Sequence, residues 1–233
     1  MQIFFTDHIE GHAATLHGDE ATHCRRVLRK NVGDELYITD GRGSLYTATI
    51  EALGKKEVDL LNVILVEKQP PRSGLTIAIA PTKNMDRYEW FLEKATEIGV
   101  KEIIPILTKR SERKVVKHER CEKIVLSAVK QSKNLHKPII RTLTRFEEFL
   151  QMELPSQKFI AHCMEPDKHL SNLYNAADAG IVIIGPEGDF TPSELELTRK
   201  SGWREVSLGP SRLRTETAGI VATHIVSMLS QNI

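Results

Sequence analysis

In the first seventy residues, apolar and β-branched positions alternate or run together over short stretches separated by turn residues. Gln2–Thr6 and Asp34–Thr39 read as short strands, and Ser44–Leu53 and Glu57–Val66 as longer ones joined through Gly54-Lys55-Lys56 as a hairpin. Asp40-Gly41-Arg42-Gly43 is a further turn. Between the first two strands the spacing predicts a helix over Asp19–Arg29, capped by Asp19, with Ala21, Cys24, Val27 and Leu28 on one side. Short strands punctuated this closely by turns predict a small β-barrel.

The rhythm then changes. Glu67–Gly74 contains Pro70-Pro71, has no periodicity and reads as a linker between domains spanning residues 1–70 and 74–233. Beyond it strands and helices alternate. Leu75–Ala80 reads as a strand, and Met85–Gly99 as a helix with Tyr88, Leu92 and Ala95 in its apolar stripe and Gly99 as its stop. Glu102–Leu107 (strand), Glu119–Lys133 (basic helix) and Lys158–Met164 (strand) follow. This alternation predicts an α/β fold, a parallel sheet covered by helices. The last helix runs from Thr215 as far as Leu229, and its apolar face (Ile220, Val221, His224, Ile225, Met228) suits a core or an interface equally well.

Two strand-like runs near the C-terminus, Ile181–Ile184 and Glu205–Leu208, each stop at Gly-Pro: Gly185-Pro186 and Gly209-Pro210. Each of these loops leads to a helix start, the first at Thr191-Pro192 with Glu194, an N-cap followed by proline at the first helical position. The pair reads either as two ordinary βα turns or as the two sides of a ligand site at the C-terminal edge of a parallel sheet. Glycine admits close backbone approach, and proline limits the entropy lost when the ligand binds.

Charge sharpens this picture only locally. The 32 basic and 31 acidic residues nearly cancel. Lys109 to Arg141, however, carries eleven Lys or Arg against three Glu, while Glu165 to Glu205 carries eight acidic residues against four basic. The basic stretch is either a face for a polyanion or a solvated helix. Cys24, Cys121 and Cys163 are scattered and form no C-x-x-C pair, and the spacing of His8, His12, His17 and His23 fits no metal motif, so no metal is expected. With no leader-like N-terminus and no long apolar run, a soluble cytoplasmic protein without membrane association is expected.

The run I-G-P-E-G followed by S-L-G-P-S-R-L-R-T-E-T-A resembles the C-terminal signature of the SPOUT methyltransferases. Within them it is most similar to the RsmE type, which methylates N3 of a uridine in 16S ribosomal RNA. His23-x-x-Arg26-Val27-Leu28-Arg29 shares that resemblance, which therefore spans nearly the whole chain. It implies a PUA-like RNA-binding domain for the N-terminal barrel, and a C-terminal SPOUT domain with a deep trefoil knot. It further implies S-adenosylmethionine as cofactor, 16S rRNA or the small ribosomal subunit as partner, and an active site at a homodimer interface. Two departures from the family pattern stand out. Asp189 follows Gly188 where many relatives have a second glycine, and Lys130-Gln131-Ser132-Lys133-Asn134 replaces the commoner E-Q-S/C-G-R.

Ile184, Gly185, Gly188, Leu208, Gly209 and Leu213 occupy the family's cofactor positions. Glu187 and Thr215, in the same two loops, and His162, at the end of the preceding strand, are further candidates for that wall. Uracil N3 carries a proton, and removing it places negative charge on the ring and its carbonyl oxygens. A fixed guanidinium would favour that anion. Arg214 is the first candidate for this catalytic role and Arg212 the second. Glu187 could accept a proton, orient a neighbour or cap loop amides, whereas Glu216 suits the first turn of its own helix. His23, Arg26 and Arg29, three apart, would lie along one helix side and suit phosphates, and Lys83 and Arg87 match basic positions of the family. Two other readings remain: a SPOUT enzyme acting on tRNA or a ribose 2′-oxygen, and a non-enzymatic ribosome-assembly factor.

Overall fold

The computed structural model describes residues 2–70, 74–163 and 168–230. Its contacts divide the chain into two units, Met1–Pro71 with Val129–Lys137, and Arg72–Ala128 with Pro138–Ile233.

In the N-terminal unit β1 (Ile3–Phe5), β2 (Ile9–Glu10), β3 (Ala13–His17), β4 (Glu35–Thr39), β5 (Ser44–Leu53) and β6 (Glu57–Lys68) form one sheet in the order β1-β4-β5-β6-β3-β2. The two end strands are joined by only Thr6-Asp7-His8, so the sheet must curl back on itself. Across the seam Thr6 Oγ1 donates to the Thr15 carbonyl at 2.6 Å, and the Thr15 N–H donates to the His8 carbonyl at 3.1 Å. The predicted barrel is therefore present, filled by Phe4, Leu16, Ile38, Ile50, Val58 and Leu60.

The helix expected over Asp19–Arg29 is not one helix. A short α1 (Gly18–Thr22) with His17 at its N-cap position gives way to a π-helical turn over His23–Val27, and Arg29 adopts φ 52°. The wider turn breaks the three-residue spacing, so His23, Arg26 and Arg29 do not share a helix side. Val27, expected inside, is 66% exposed, while Cys24 is fully buried. The expected linker also shifts, since Glu67 and Lys68 complete β6; residues 71–73 lie outside the described residues.

The C-terminal unit is a parallel sheet, as predicted. Its strands are β7 (Leu75–Ile79), β8 (Glu102–Leu107), β9 (Ile139–Ile140), β10 (Thr144–Arg145), β11 (Gln157–Ala161), β12 (Gly180–Ile184) and β13 (Arg204–Val206). The order is β10-β8-β7-β12-β11-β13, with β9 also paired to β8. Every residue of β7 and β12 is buried, as expected where helices cover both faces. The helices are α2 (Met85–Ile98), α3 (His118–Ser132, of which residues 129–132 count with the N-terminal unit), the single turn α4 (Phe146–Phe149), α5 (Pro192–Lys200) and α6 (Thr215–Ser230). Gly99 ends α2 in the left-handed region at φ 109°, and Thr191 with Glu194 forms a complete capping box on α5. The strand expected over Lys158–Met164 stops at Ala161, with Met164 outside the described residues, and that expected over Glu205–Leu208 stops at Val206.

The face that α6 buries is Gly219, Ala222, Thr223 and Val226. A Cβ on Gly219 would meet the Phe91 ring at 2.6 Å, so glycine here lets α6 lie close against α2. Ile220, Val221 and Ile225 are only partly buried, His224 is exposed and Met228 is 54% exposed.

Candidate active site

Strand register creates the site. Ala161 of β11 pairs with Ile184 of β12 on one side and with Val206 of β13 on the other, so the three strands end at one level. The chain segments that leave them, starting at His162, Gly185 and Ser207, enclose a cavity of about 510 Å³, within the range of roughly 300–1,000 Å³ usual for small-molecule sites. The two Gly-Pro loops are thus neighbours, which favours the ligand-site reading over unrelated turns. Thr215 Oγ1 at the start of α6 donates to the Gly185 carbonyl at 3.0 Å and fastens one loop to the other.

Among the expected cofactor residues, His162, Ile184, Gly185, Glu187, Leu208, Gly209, Leu213 and Thr215 line this cavity. Gly188 does not; its carbonyl accepts from the Arg110 guanidinium at 2.8 Å. The glycines serve different ends. A Cβ on Gly185 would lie 2.9 Å from the Phe190 ring, so this glycine answers to packing rather than to ligand approach. Gly209 has φ 135° and open space where a Cβ would stand, a cradle at the cavity wall that fits close approach of a flat ring. The Ser207 hydroxyl, which accepts from the Gly209 N–H and donates to the Gly209 carbonyl, both at 3.1 Å, holds that turn. Sequence reading passed over Ser207; the only signal was a hydroxyl two residues before a loop glycine.

The imidazole of His162 is fully buried, with Nε2 2.9 Å from Glu205 Oε2, and Glu205 also takes the Arg199 guanidinium. That Arg199 contact, helped by His162 and opposed by burial, holds the Glu205 carboxyl below its ordinary range. Glu187 Oε1 accepts the Lys83 backbone N–H at 3.0 Å, so its carboxylate caps a loop amide. Arg212 and Arg214 both line the cavity and both are exposed. The Arg212 charge opposes the rise that burial and Asp189 impose on the Cys163 thiol pKa, whereas the Arg214 side chain makes no hydrogen bond or ion pair among the described residues. Glu216 is nearly buried, 3.9 Å from Arg87.

The remaining basic candidates are distributed. Arg26 and Arg29 are exposed on the N-terminal unit, and His23 Nε2 lies 3.1 Å from Gln2 Nε2. Lys83 pairs with Glu112 at 2.8 Å on the C-terminal unit. Several of the eleven basic residues from Lys109 to Arg141 bond within the protein: Arg110 to the Gly188 and Phe190 carbonyls, Arg113 to the Lys83 carbonyl, Arg120 to Glu89, Lys130 to Glu20 and Arg141 to Glu102. No cluster able to hold a metal occurs among the described residues, and no helix there is long and apolar enough to cross a membrane.

Comparison with known proteins agrees with this architecture. Residues 68–227 match the RNA methyltransferase domain family, and residues 16–61 match the RNA methyltransferase PUA domain. The ribosomal RNA small subunit methyltransferase E of Rickettsia conorii is 30% identical over 216 residues, covering 90% of this chain and 87% of the relative. That of Mesomycoplasma hyopneumoniae is 33% identical over 227 residues, covering 94% and 96%. Among solved structures, a Porphyromonas gingivalis protein described as a probable rRNA methyltransferase superposes with TM-score 0.88 and 41% identity, over 100% of this chain and 99% of that one. The Neisseria gonorrhoeae ribosomal RNA small subunit methyltransferase E, solved with S-adenosylmethionine bound, superposes with TM-score 0.83 and 26% identity over 98% of each chain. The chain therefore belongs to the RNA methyltransferase domain family and, within it, to the ribosomal RNA small subunit methyltransferase E group.

Proposed function

We propose that this protein uses S-adenosylmethionine to methylate N3 of a uridine in the 16S RNA of the small ribosomal subunit. The observation that carries the reading is the cavity at three aligned strand ends, with both Gly-Pro loops in its wall and the Arg214 guanidinium at its rim with no hydrogen bond or ion pair among the described residues.

S-adenosylmethionine, when bound, supplies a methyl group made electrophilic by its sulfonium. The chain's own part is to hold the adenine against Ile184, Leu208, Gly209 and Leu213, where apolar side chains and loop backbone meet. Arg214 then faces the base and stabilises the negative charge that develops on the uracil oxygens as N3 gives up its proton to solvent water at the open rim. Glu187 acts as a strut through Lys83 rather than as the proton acceptor. The exposed Arg26 and Arg29 of the PUA-like unit hold RNA phosphates. The half-exposed apolar face of α6, Ile220 with Ile225 and Met228, is the surface through which two copies would pair. The trefoil knot and a cytoplasmic location belong to the same reading.

The test is transfer of labelled methyl from S-adenosylmethionine to small-subunit RNA, with the product mapped by mass spectrometry. A methyl on N3 of one uridine is expected. A methyl on a ribose 2′-oxygen would assign the other SPOUT chemistry, and cofactor binding without transfer to any RNA would assign an assembly role.

A further inference from the structure

Asp189 follows Gly188 in the first Gly-Pro loop with a backbone conformation that favours glycine. At φ 59° it occupies the left-handed region that side chains other than those of Asn and Asp rarely enter. Its N–H donates to the Pro186 carbonyl at 2.9 Å, closing the first Gly-Pro loop. Glycine would make that turn without strain, so the carboxylate must contribute something that glycine could not.

Its contacts show what. Asp189 Oδ1 accepts the Phe190 N–H at 2.8 Å, and Oδ2 reaches across to accept the Cys163 N–H at 3.1 Å, just beyond the end of β11. Asp189 and Cys163 come from different segments, and both line the cavity. One carboxylate therefore joins the end of β11 to the first loop through two backbone N–H groups. Partial withdrawal from water and the Asp189 charge push the Cys163 thiol pKa up, with Arg212 opposing.

We infer that the Asp189 carboxylate is a clasp that draws the end of β11 and the first Gly-Pro loop together and sets the cavity's affinity for S-adenosylmethionine. Asp189 is a positioning residue. It also gives this chain a preorganised pocket where a glycine at 189 would leave the β11 end and the first loop unlinked. The inference rests on the cofactor reading above.

Calorimetry of the full chain with S-adenosylmethionine tests it. Asp189→Gly relieves the backbone strain, so the melting temperature should hold or rise, while the dissociation constant should rise roughly tenfold. Asp189→Asn keeps one acceptor and serves as the second variant should the glycine form fail to fold; its loss should be smaller. Cys163→Ala, which keeps the backbone N–H that Asp189 accepts, should bind within about twofold of the native protein. An Asp189→Gly protein that binds as tightly as the native chain would overturn the clasp. A loss in Cys163→Ala as large as that in Asp189→Gly would do the same. If the native protein itself failed to bind S-adenosylmethionine, the cofactor reading would fall instead.

Discussion

Glu187 Oε1 and the Lys83 N–H lie 3.0 Å apart across 104 residues of sequence, so the carboxylate beside the cavity spans two loops of one sheet edge. The amide oxygen of glutamine can accept the same hydrogen bond. Glu187→Gln should therefore retain most of the methyl-transfer rate, whereas Glu187→Ala should weaken cofactor binding about three- to tenfold, as for loss of one hydrogen bond of about 1 kcal/mol net. A Glu187→Gln protein whose single-turnover rate collapses while its cofactor affinity is intact would make Glu187 the proton acceptor after all.

Glu20 and Lys130 pair within the N-terminal unit, with Glu20 only 9% exposed and its second oxygen accepting the Phe5 N–H at 3.0 Å. Removing one partner leaves the other largely buried without a counter-charge. Lys130→Met should lower stability by roughly 2–3 kcal/mol, less than for a fully buried pair because Lys130 is partly solvated. Urea denaturation should show a smaller loss in the double variant Glu20→Gln with Lys130→Met. A double variant that loses the sum of the two single-variant losses would mean that the pair is not coupled.

Both departures from the family pattern turn out to share one backbone property. Asp189 and Lys133 have φ 59° and 54°, the left-handed conformation that glycine favours, so the chain follows a glycine path with a side chain attached. At Lys133 the Asn134 N–H reaches back to the Val129 carbonyl at 3.0 Å, a helix stop of the kind glycine commonly makes. Such positions are invisible to periodicity. The long strands and the helices of the parallel-sheet unit were legible because each presents several repeats of its pattern and a clear stop, as at Gly99 or Thr191-Pro192. The short pieces were not: β2, β9 and β10 have two residues each, too few to show a period. The π-turn at His23–Val27 has apolar spacing that an α-helix explains equally well. The site was legible as two loops, but not as joined loops, because Ser207, Cys163 and Asp189 act through contacts that no local spacing announces.

Arg26 and Arg29 are both exposed, though no longer on one helix side. Replacing both with Ala should weaken RNA binding and reduce the slope of log affinity against log salt by about two, since each phosphate contact releases about one counterion. Cofactor affinity should be unaltered. A salt slope equal to that of the native protein would remove both residues from the RNA face.

Glu205 bears on acid stability. Its carboxyl is held below the ordinary range, chiefly by Arg199 and also by His162. A depressed folded-state pKa means that the unfolded chain takes up the proton first as pH falls. The Glu205 contribution should thus be full above the ordinary carboxylate range and vanish as pH drops through the depressed value. Glu205→Gln should be less stable than the native protein at neutral pH, with the gap closing only in strong acid. A gap that stays constant down through that window would show the contacts to be energetically idle.

Arg214 is the cavity-rim guanidinium whose side chain has no hydrogen bond or ion pair among the described residues. Lysine keeps a positive charge but loses the planar two-point contact to a delocalised anion. The most direct measurement is the single-turnover methylation rate of native and Arg214→Lys proteins against pH, at saturating S-adenosylmethionine. The rate should fall roughly a hundredfold, as for loss of one oxyanion donor, with cofactor and RNA affinities much less affected. The deficit should narrow as pH rises, because more uracil then ionises without help. A variant that binds cofactor poorly yet turns over at the native rate once saturated would contradict the account, as would a deficit that does not change with pH.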